Sequence, residues 1–207
     1  MRIGIIGSGN IGSTLARLAV DAGLDVVLTN SRGPESLLDL VAELGARAQA
    51  GTLDDVGARS DLIVEAVPFG RLHELPSDAI GSGVLVTAAN YFAQRDGPIE
   101  LDGSQSEYVA RLFPQARVVK AFNAIRAADL ASQGAPARND DERRAIPIAG
   151  DDAEAKEAVA RFIRAIGFGP LDLGPLAAGA VLEPGGPLFG AGLTVAEVRE
   201  RLAERLS

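Results

Sequence analysis

The chain has 207 residues, 47% hydrophobic and 23% charged, an ordinary balance for a globular protein of one compact unit. Its net charge of -8 opposes binding to DNA, RNA or an anionic membrane, and no apolar run approaches the ~20 residues of a membrane helix. The absence of cysteine excludes disulfides, a thiolate nucleophile and a Cys-ligated metal; with an N-terminus unlike a signal peptide, this predicts a soluble cytoplasmic protein.

The first predicted element is a buried strand over "RIGIIG", a short apolar run closed by glycine. From Asn10 the period changes: Ile11, Leu15, Leu18, Ala19 and Ala22 share a helical face, and Gly23 stops it. "DVVLTN" is the second strand, and residues 34–44 a helix with proline and an acid in its first turn. "ARAQAG" reads as a weak third strand and "TLDDVGAR" as a short helix opened by Thr52. "DLIVEAVP" is a strong buried strand ended by Pro68, and "GVLVTAAN" a fifth. Between those two, "FGRLHELPSDAI" is expected as a helix broken near Pro76.

Residues 91–103 are polar and turn-rich and read as a surface loop, followed by a helix over "SQSEYVARLF" opened by Ser104 and Glu107. "ARVVKAF" is a sixth strand, "QGAPARNDDERR" an exposed loop and "RAIPIAG" another strand. A helix capped by Asp151 or Asp152 runs through "AEAKEAVARFIRAIG", and "FGPLDLG" is a closing strand. The glycine-rich "GPLAAGAVLEPGGPLFG" supports no assignment. "TVAEVRERLAERL" is an amphipathic terminal helix with Val195, Val198, Leu202 and Leu206 on one stripe, free to pack on its own domain or to cover an edge in a homodimer. Strands alternating with helices imply a Rossmann-type, doubly wound α/β fold with a mostly parallel sheet. Residues 1–207 form one domain, with 174–207 as a short C-terminal extension.

"GSGNIG" sets Gly7, Gly9 and Gly12 in G-x-G-x-x-G spacing after a strand and at the opening of a helix, the context of a dinucleotide site. Gly7 allows the turn, Gly9 lets a pyrophosphate approach the backbone, and Gly12 lets helix and strand pack closely. A helix beginning near Asn10 points its N–H groups and positive end at the phosphate. An acid is expected ~20 residues further on, where it would bind the ribose hydroxyls. Asn30 stands there instead, and Asp25 lies at the wrong end of the same strand. An anion at position 30 would repel a 2′-phosphate, whereas Ser31 donates a hydrogen bond and Arg32 supplies charge-assisted ones. Asn30, Ser31 and Arg32 therefore point to NADP(H).

Ligands in such sheets lie beyond the carboxyl ends of the strands. Those ends carry Ala66, Val67, Pro68 and Phe69, then Ala89 and Asn90, then Ala121, Phe122 and Asn123. Asn90 and Asn123 are candidates for hydrogen bonds to a nicotinamide amide or a substrate edge, with loop capping as the alternative. Lys120 is a candidate proton donor or a member of a structural ion pair, and the single histidine, His73, reads as a surface or helix-packing residue. No Ser-His-Asp set or metal-ligand spacing is present. Hydride transfer between NADPH and a flavin-like ring needs orientation more than a side-chain acid, so this poverty fits it.

"MRIGIIGSGNIG", "NSRGPESL", "VVKAFNAI" and "PIAGDDAEAKEAVARFIRAIGFGPLDLGPL" together resemble the NADPH-dependent coenzyme F-420 (deazaflavin) reductase family and its bacterial relatives, over nearly the whole chain. The resemblance implies NADP(H) as one hydride partner and a deazaflavin or flavin as the other, with the C-terminal extension shaping the second site. It implies that Ser8, Gly9, Asn10, Ile11 and Gly12 hold the pyrophosphate, that Ser31, Arg32 and Ser36 hold the 2′-phosphate, and that Ala66, Val67, Pro68 and Phe69 flank the nicotinamide. The related cytosolic domains of six-transmembrane ferric reductases point to flavin. The chain departs from the deazaflavin reductases at Phe122, Asn123, Ala124 and Ile125, where they carry His-Thr-Ile-Pro. A small imine or carbonyl substrate, and an NADP(H)-holding redox sensor without turnover, are the competing readings.

Overall fold

The computed structural model describes residues 1–204. The chain runs β1 (Arg2–Ile6), α1 (Asn10–Asp21), β2 (Asp25–Thr29), α2 (Leu38–Leu44), β3 (Ala48–Ala50), α3 (Leu53–Arg59), β4 (Leu62–Glu65) and β5 (Val84–Thr87). It continues with α4 (Ala93–Asp96), α5 (Gln105–Leu112), β6 (Arg117–Lys120), α6 (Ala127–Ser132), β7 (Ala145–Gly150), α7 (Ala153–Ala165), β8 (Gly169–Asp172) and α8 (Val195–Glu204). The eight strands lie in the order β3-β2-β1-β4-β5-β6-β7-β8. All neighbours are parallel except β6 and β7, which pair antiparallel through Val119 with Gly150 and Lys120 with Ala149. The fold is Rossmann-like α/β. The order reverses at β1, with β2 on one side and β4 on the other, so the crevice expected at such a switch point opens above β1.

Two apolar layers cover the sheet, and period-two alternation sorts residues between them. Ile3, Ile5, Leu62, Val64, Val84 and Val86 pack with Leu15 of α1 and Phe162 of α7. Ile63, Leu85 and Val118 instead join Val56 of α3 and Val109 of α5. Helix starts are sealed by reciprocal side-chain bonds: Thr52 with Asp55 opens α3, and Ser104 with Glu107 opens α5. Asp152 caps α7 by accepting the Ala155 N–H at 2.7 Å, while Asp151 accepts from Leu176 at 2.8 Å and ties down the extension.

Several segments differ from their sequence expectation. Residues 69–79 form two 3-10 turns, Phe69–Glu74 and Ser77–Ala79, because Pro76 lacks an N–H and no α-helix forms around it. Residues 91–103 include the short α4, and Tyr91, Ile99 and Leu101 pack against the second apolar layer, so this is not a free surface loop. The glycine-rich stretch contains a 3-10 turn, Leu176–Leu182. Beyond it, Leu182, Leu188, Val195 and Val198 build a third cluster with Ala145 of β7 and Leu171 of β8. Arg144 clamps this tail by donating to the carbonyls of Ala191 and Leu193. Val195, Val198 and Leu202 of the α8 stripe are thus packed within their own chain. Leu206 of the stripe lies outside the described residues.

Candidate functional site

The turn after β1 is shaped by close contacts. Gly7 adopts φ +106°, and its N–H donates to the Thr29 carbonyl at 2.8 Å, joining the ends of β1 and β2. A side chain on Gly12 would begin 1.9 Å from the Gly7 carbonyl oxygen, so only glycine permits α1 to approach the strand this closely. Gly9 is different: a Cβ there would meet nothing within 4 Å, because the space above it is cleft. Gly9 also precedes α1 without a side-chain cap, so no side chain competes for the first N–H groups of the helix.

Asn30 holds the neighbouring loop. Its Nδ2 donates to Ser8 Oγ at 2.9 Å, and its Oδ1 accepts from the Arg32 N–H at 2.9 Å. The Ser36 hydroxyl lies 3.1 Å from the same Oδ1 and 2.8 Å from the Gly33 carbonyl. A carboxylate at position 30 would lose the donation to Ser8, so the amide is matched to this loop. Ser31 and Arg32 follow, both exposed. The Arg32 guanidinium has no hydrogen bond or ion pair among the described residues. The cleft between these segments has a volume of about 530 Å³. Gly7, Ser8 and Gly9 form its floor, Asn30, Ser31 and Arg32 one side, and Ala66, Val67 and Pro68 the end of β4; Arg71, Glu74, Leu75 and Pro76 continue that wall.

A second polar cluster occupies the carboxyl ends of β4, β5 and β6, and it is sealed. Glu65 and Lys120 are each 0% exposed. Glu65 accepts from the Thr87 hydroxyl, and Lys120 Nζ donates to the Ala89 carbonyl at 2.6 Å. Burial raises the Glu65 carboxyl to about 7, against Thr87, the charge of Lys120 and the N–H groups of Val67 and Ala89. Burial also lowers Lys120 to about 8, opposed by Glu65 and Glu183. Beside them Asn123 Nδ2 donates to Asn90 Oδ1 at 2.9 Å and to the Leu182 carbonyl at 2.7 Å. Asn90 Nδ2 returns a bond to the Asn123 carbonyl at 2.7 Å. Phe122 makes this clasp possible through a turn at φ +61°, a conformation that costs about 1–3 kcal/mol outside glycine. Its ring, edge-on to Phe162 at 5.8 Å, is buried in the core.

The family described as NADP oxidoreductase, coenzyme F420-dependent, matches residues 2–91. The hypothetical protein SMa0349 from Sinorhizobium meliloti is 34% identical, with TM-score 0.81 over 94% of this chain and 95% of that one. A protein of Arthrobacter sp. FB24, proposed to be an F420-dependent NADP-reductase, is 26% identical, with TM-score 0.71 over 100% of this chain and 94% of that one. This chain belongs to the F420-dependent NADP oxidoreductase family. By its description the family is one of NADP-dependent oxidoreductases. Metalloreductase STEAP3 of Rattus norvegicus is also similar, 35% identical over 88% of this chain but only 36% of that protein. The chain thus spans 35 to 36% of the curated relatives it matches.

In this family member the cleft collects nine of the residues singled out from the sequence: Gly7, Ser8, Gly9, Asn30, Ser31, Arg32, Ala66, Val67 and Pro68. Asn10, Ile11 and Gly12 form the start of α1 behind the turn, and Ser36 reaches the cleft only through Asn30. Phe69 is not a wall of the cleft: it is 1% exposed, with its ring centroid 5.7 Å from Tyr91 and 5.3 Å from Tyr108. Ala89 belongs to the sealed cluster, where its carbonyl serves Lys120, and the half-buried Asn90 at its rim exchanges hydrogen bonds with Asn123. Lys120, a candidate proton donor on its position alone, is shut off from solvent, and among the described residues it has no ion pair within 4 Å. Glu65, Arg71, Glu74 and Glu183 were not singled out. An acid inside the apolar run "LIVEAV" was the available signal for Glu65, while nothing local marked the others.

Proposed function

We propose that the cleft binds NADP(H) and that the chain passes hydride between it and a planar deazaflavin (coenzyme F-420) or flavin-like ring. The observation that carries this reading is the unpartnered, exposed guanidinium of Arg32 beside Ser31, at the mouth of a cleft whose floor is open above Gly9. The residues fit the group. N–H groups at the start of α1 face the pyrophosphate, and Ser31 and Arg32 face the 2′-phosphate, with Ser36 and Asn30 holding their loop. Ala66, Val67 and Pro68 flank the nicotinamide end, with Ala89 and Asn90 next along the strand ends.

Bound NADPH supplies the hydride; the chain supplies position and dryness. Arg32, Arg71 and Glu74 are the charged residues lining the cleft, and Ala66, Val67 and Pro68, which would flank the nicotinamide, carry no acid or base. Orientation of two rings, rather than proton transfer by a side chain, is therefore the contribution this surface can make. The family description and the Arthrobacter relative support a deazaflavin as acceptor, and the metalloreductase relatives add a ferric chelate to the acceptors worth testing. With a nucleotide and a diffusible ring as partners, the cytoplasm is the proposed setting.

The test mixes protein and NADPH with coenzyme F-420, FMN, FAD or a ferric chelate and follows the nicotinamide absorbance. Turnover with a ring acceptor is expected. Tight NADPH binding with no turnover on any of them would leave a cofactor-holding sensor in place of the oxidoreductase.

A further inference from the structure

Arg32 is one of two arginines on the cleft. The other, Arg71, stands across β1 from it, in the turn Phe69–Glu74 that follows Pro68. Arg71 Nε lies 2.5 Å from the Glu74 carboxylate, with the two side chains 63% and 44% exposed. A pair so open to water is weakly held, and a stronger anion displaces the carboxylate at little cost. Leu53 of α3, Leu75 and Pro76 line the same cleft and give it apolar surface of the kind that takes an adenine ring.

The charges of a bound NADP(H) divide unevenly over this surface. The pyrophosphate meets the uncapped start of α1. The 2′-phosphate carries between one and two negative charges at neutral pH, and on the β2 side it meets a single cation, Arg32. Resting on the NADP(H) reading above, we infer that Arg71 is a second ligand of the 2′-phosphate, held by Glu74 until that phosphate arrives and then exchanged onto it. Glu74 is in this arrangement a selectivity element. It neutralises Arg71 when the ligand lacks a 2′-phosphate, and so withholds from NAD(H) an attraction that NADP(H) obtains.

The probes are 2′,5′-ADP and 5′-AMP, measured by calorimetry on the whole chain, because they report the adenosine half without acceptor or turnover. Arg71→Ala is expected to weaken 2′,5′-ADP by about tenfold and leave 5′-AMP within about twofold. Glu74→Gln is expected to tighten 2′,5′-ADP, with a smaller gain when Arg71→Ala is already present. Equal losses for both probes would move Arg71 to the 5′-phosphate and overturn the inference, as would no loss for either. Arg32→Ala is the control that separates the two readings. If the unaltered chain shows no preference for 2′,5′-ADP over 5′-AMP, the NADP(H) reading fails; if Arg32→Ala removes a preference that Arg71→Ala leaves intact, only the role of Arg71 fails.

Discussion

At the end of β1 and β2 the polar side chains stand in water, and the most strongly charged of them, Arg32, has nothing to hold. Next along the sheet, at the ends of β4 to β6, the polar groups face inward: Glu65, Thr87 and Lys120 are all 0% exposed. The same sheet edge thus carries an open surface and a surface already spent on the protein itself. An exposed cation loses little by remaining unpaired, because water solvates it until an anion arrives. A buried charge has no such reservoir and must be met by the fold or by proton exchange. Position at a strand end therefore selects neighbourhood, and burial decides whether a residue there serves a ligand.

The comparison breaks first at Lys120. Lys120→Met should cost about 1–3 kcal/mol, because it leaves the buried Ala89 carbonyl without its donor and removes a charge that favours the ionised Glu65. Urea unfolding measures this, and Glu65→Gln in the same chain should recover part of the loss. A cost below about 1 kcal/mol would mean that the two groups do not depend on each other.

The exposed side is sharpened by Arg32→Ala. Its NADPH dissociation constant should rise about 10- to 100-fold, with NADH nearly unchanged and the unfolding midpoint unmoved. Equal losses for both cofactors would place Arg32 on the shared part of the molecule.

The sealed side has a signature of its own in the pH dependence of stability. Glu65 has a folded pKa of about 7 against 4.5 for an ordinary glutamate, so between those values the folded state binds more protons than the unfolded one. The contribution of Glu65 to stability is present below pH 4.5 and is lost as pH rises through 7. Lys120 has the opposite sign: with a folded pKa of about 8 against 10.5, it contributes stability that returns as pH rises between those values. Wild type minus Glu65→Gln, taken from urea midpoints between pH 4.5 and 9, should fall toward pH 7. A flat difference would show the cluster to be as well solvated as the cleft.

Much of the frame was legible because it rests on local rules. The glycine spacing, the alternating apolar strands and the Ser104–Glu107 and Asp152 helix starts all act within a few residues, and all appear in place. The sealed cluster was legible only as a list of candidates. Asn90, Lys120 and Asn123 stand at strand ends, but their partners lie 31 to 59 residues away, at Ala89, Leu182 and in each other. No local pattern reveals such pairings. The role of Asn30 was half legible: the missing negative charge is visible in one residue, whereas its bonds to Ser8 and Ser36 span 22 and 6 residues.

By itself, the order of residues determined a Rossmann-like sheet and a turn that leaves room above Gly9, since strand periodicity and glycine sterics are properties of short segments. Tertiary structure alone decided the reversal of β7 against β6, the return of α8 onto its own strands and the meeting of Arg71 with the cleft that Arg32 borders. It also decided that Lys120 is enclosed while Arg32 is free. Burial is a property of what the rest of the chain places around a side chain, and it separates a charge held for the fold from one available to a ligand.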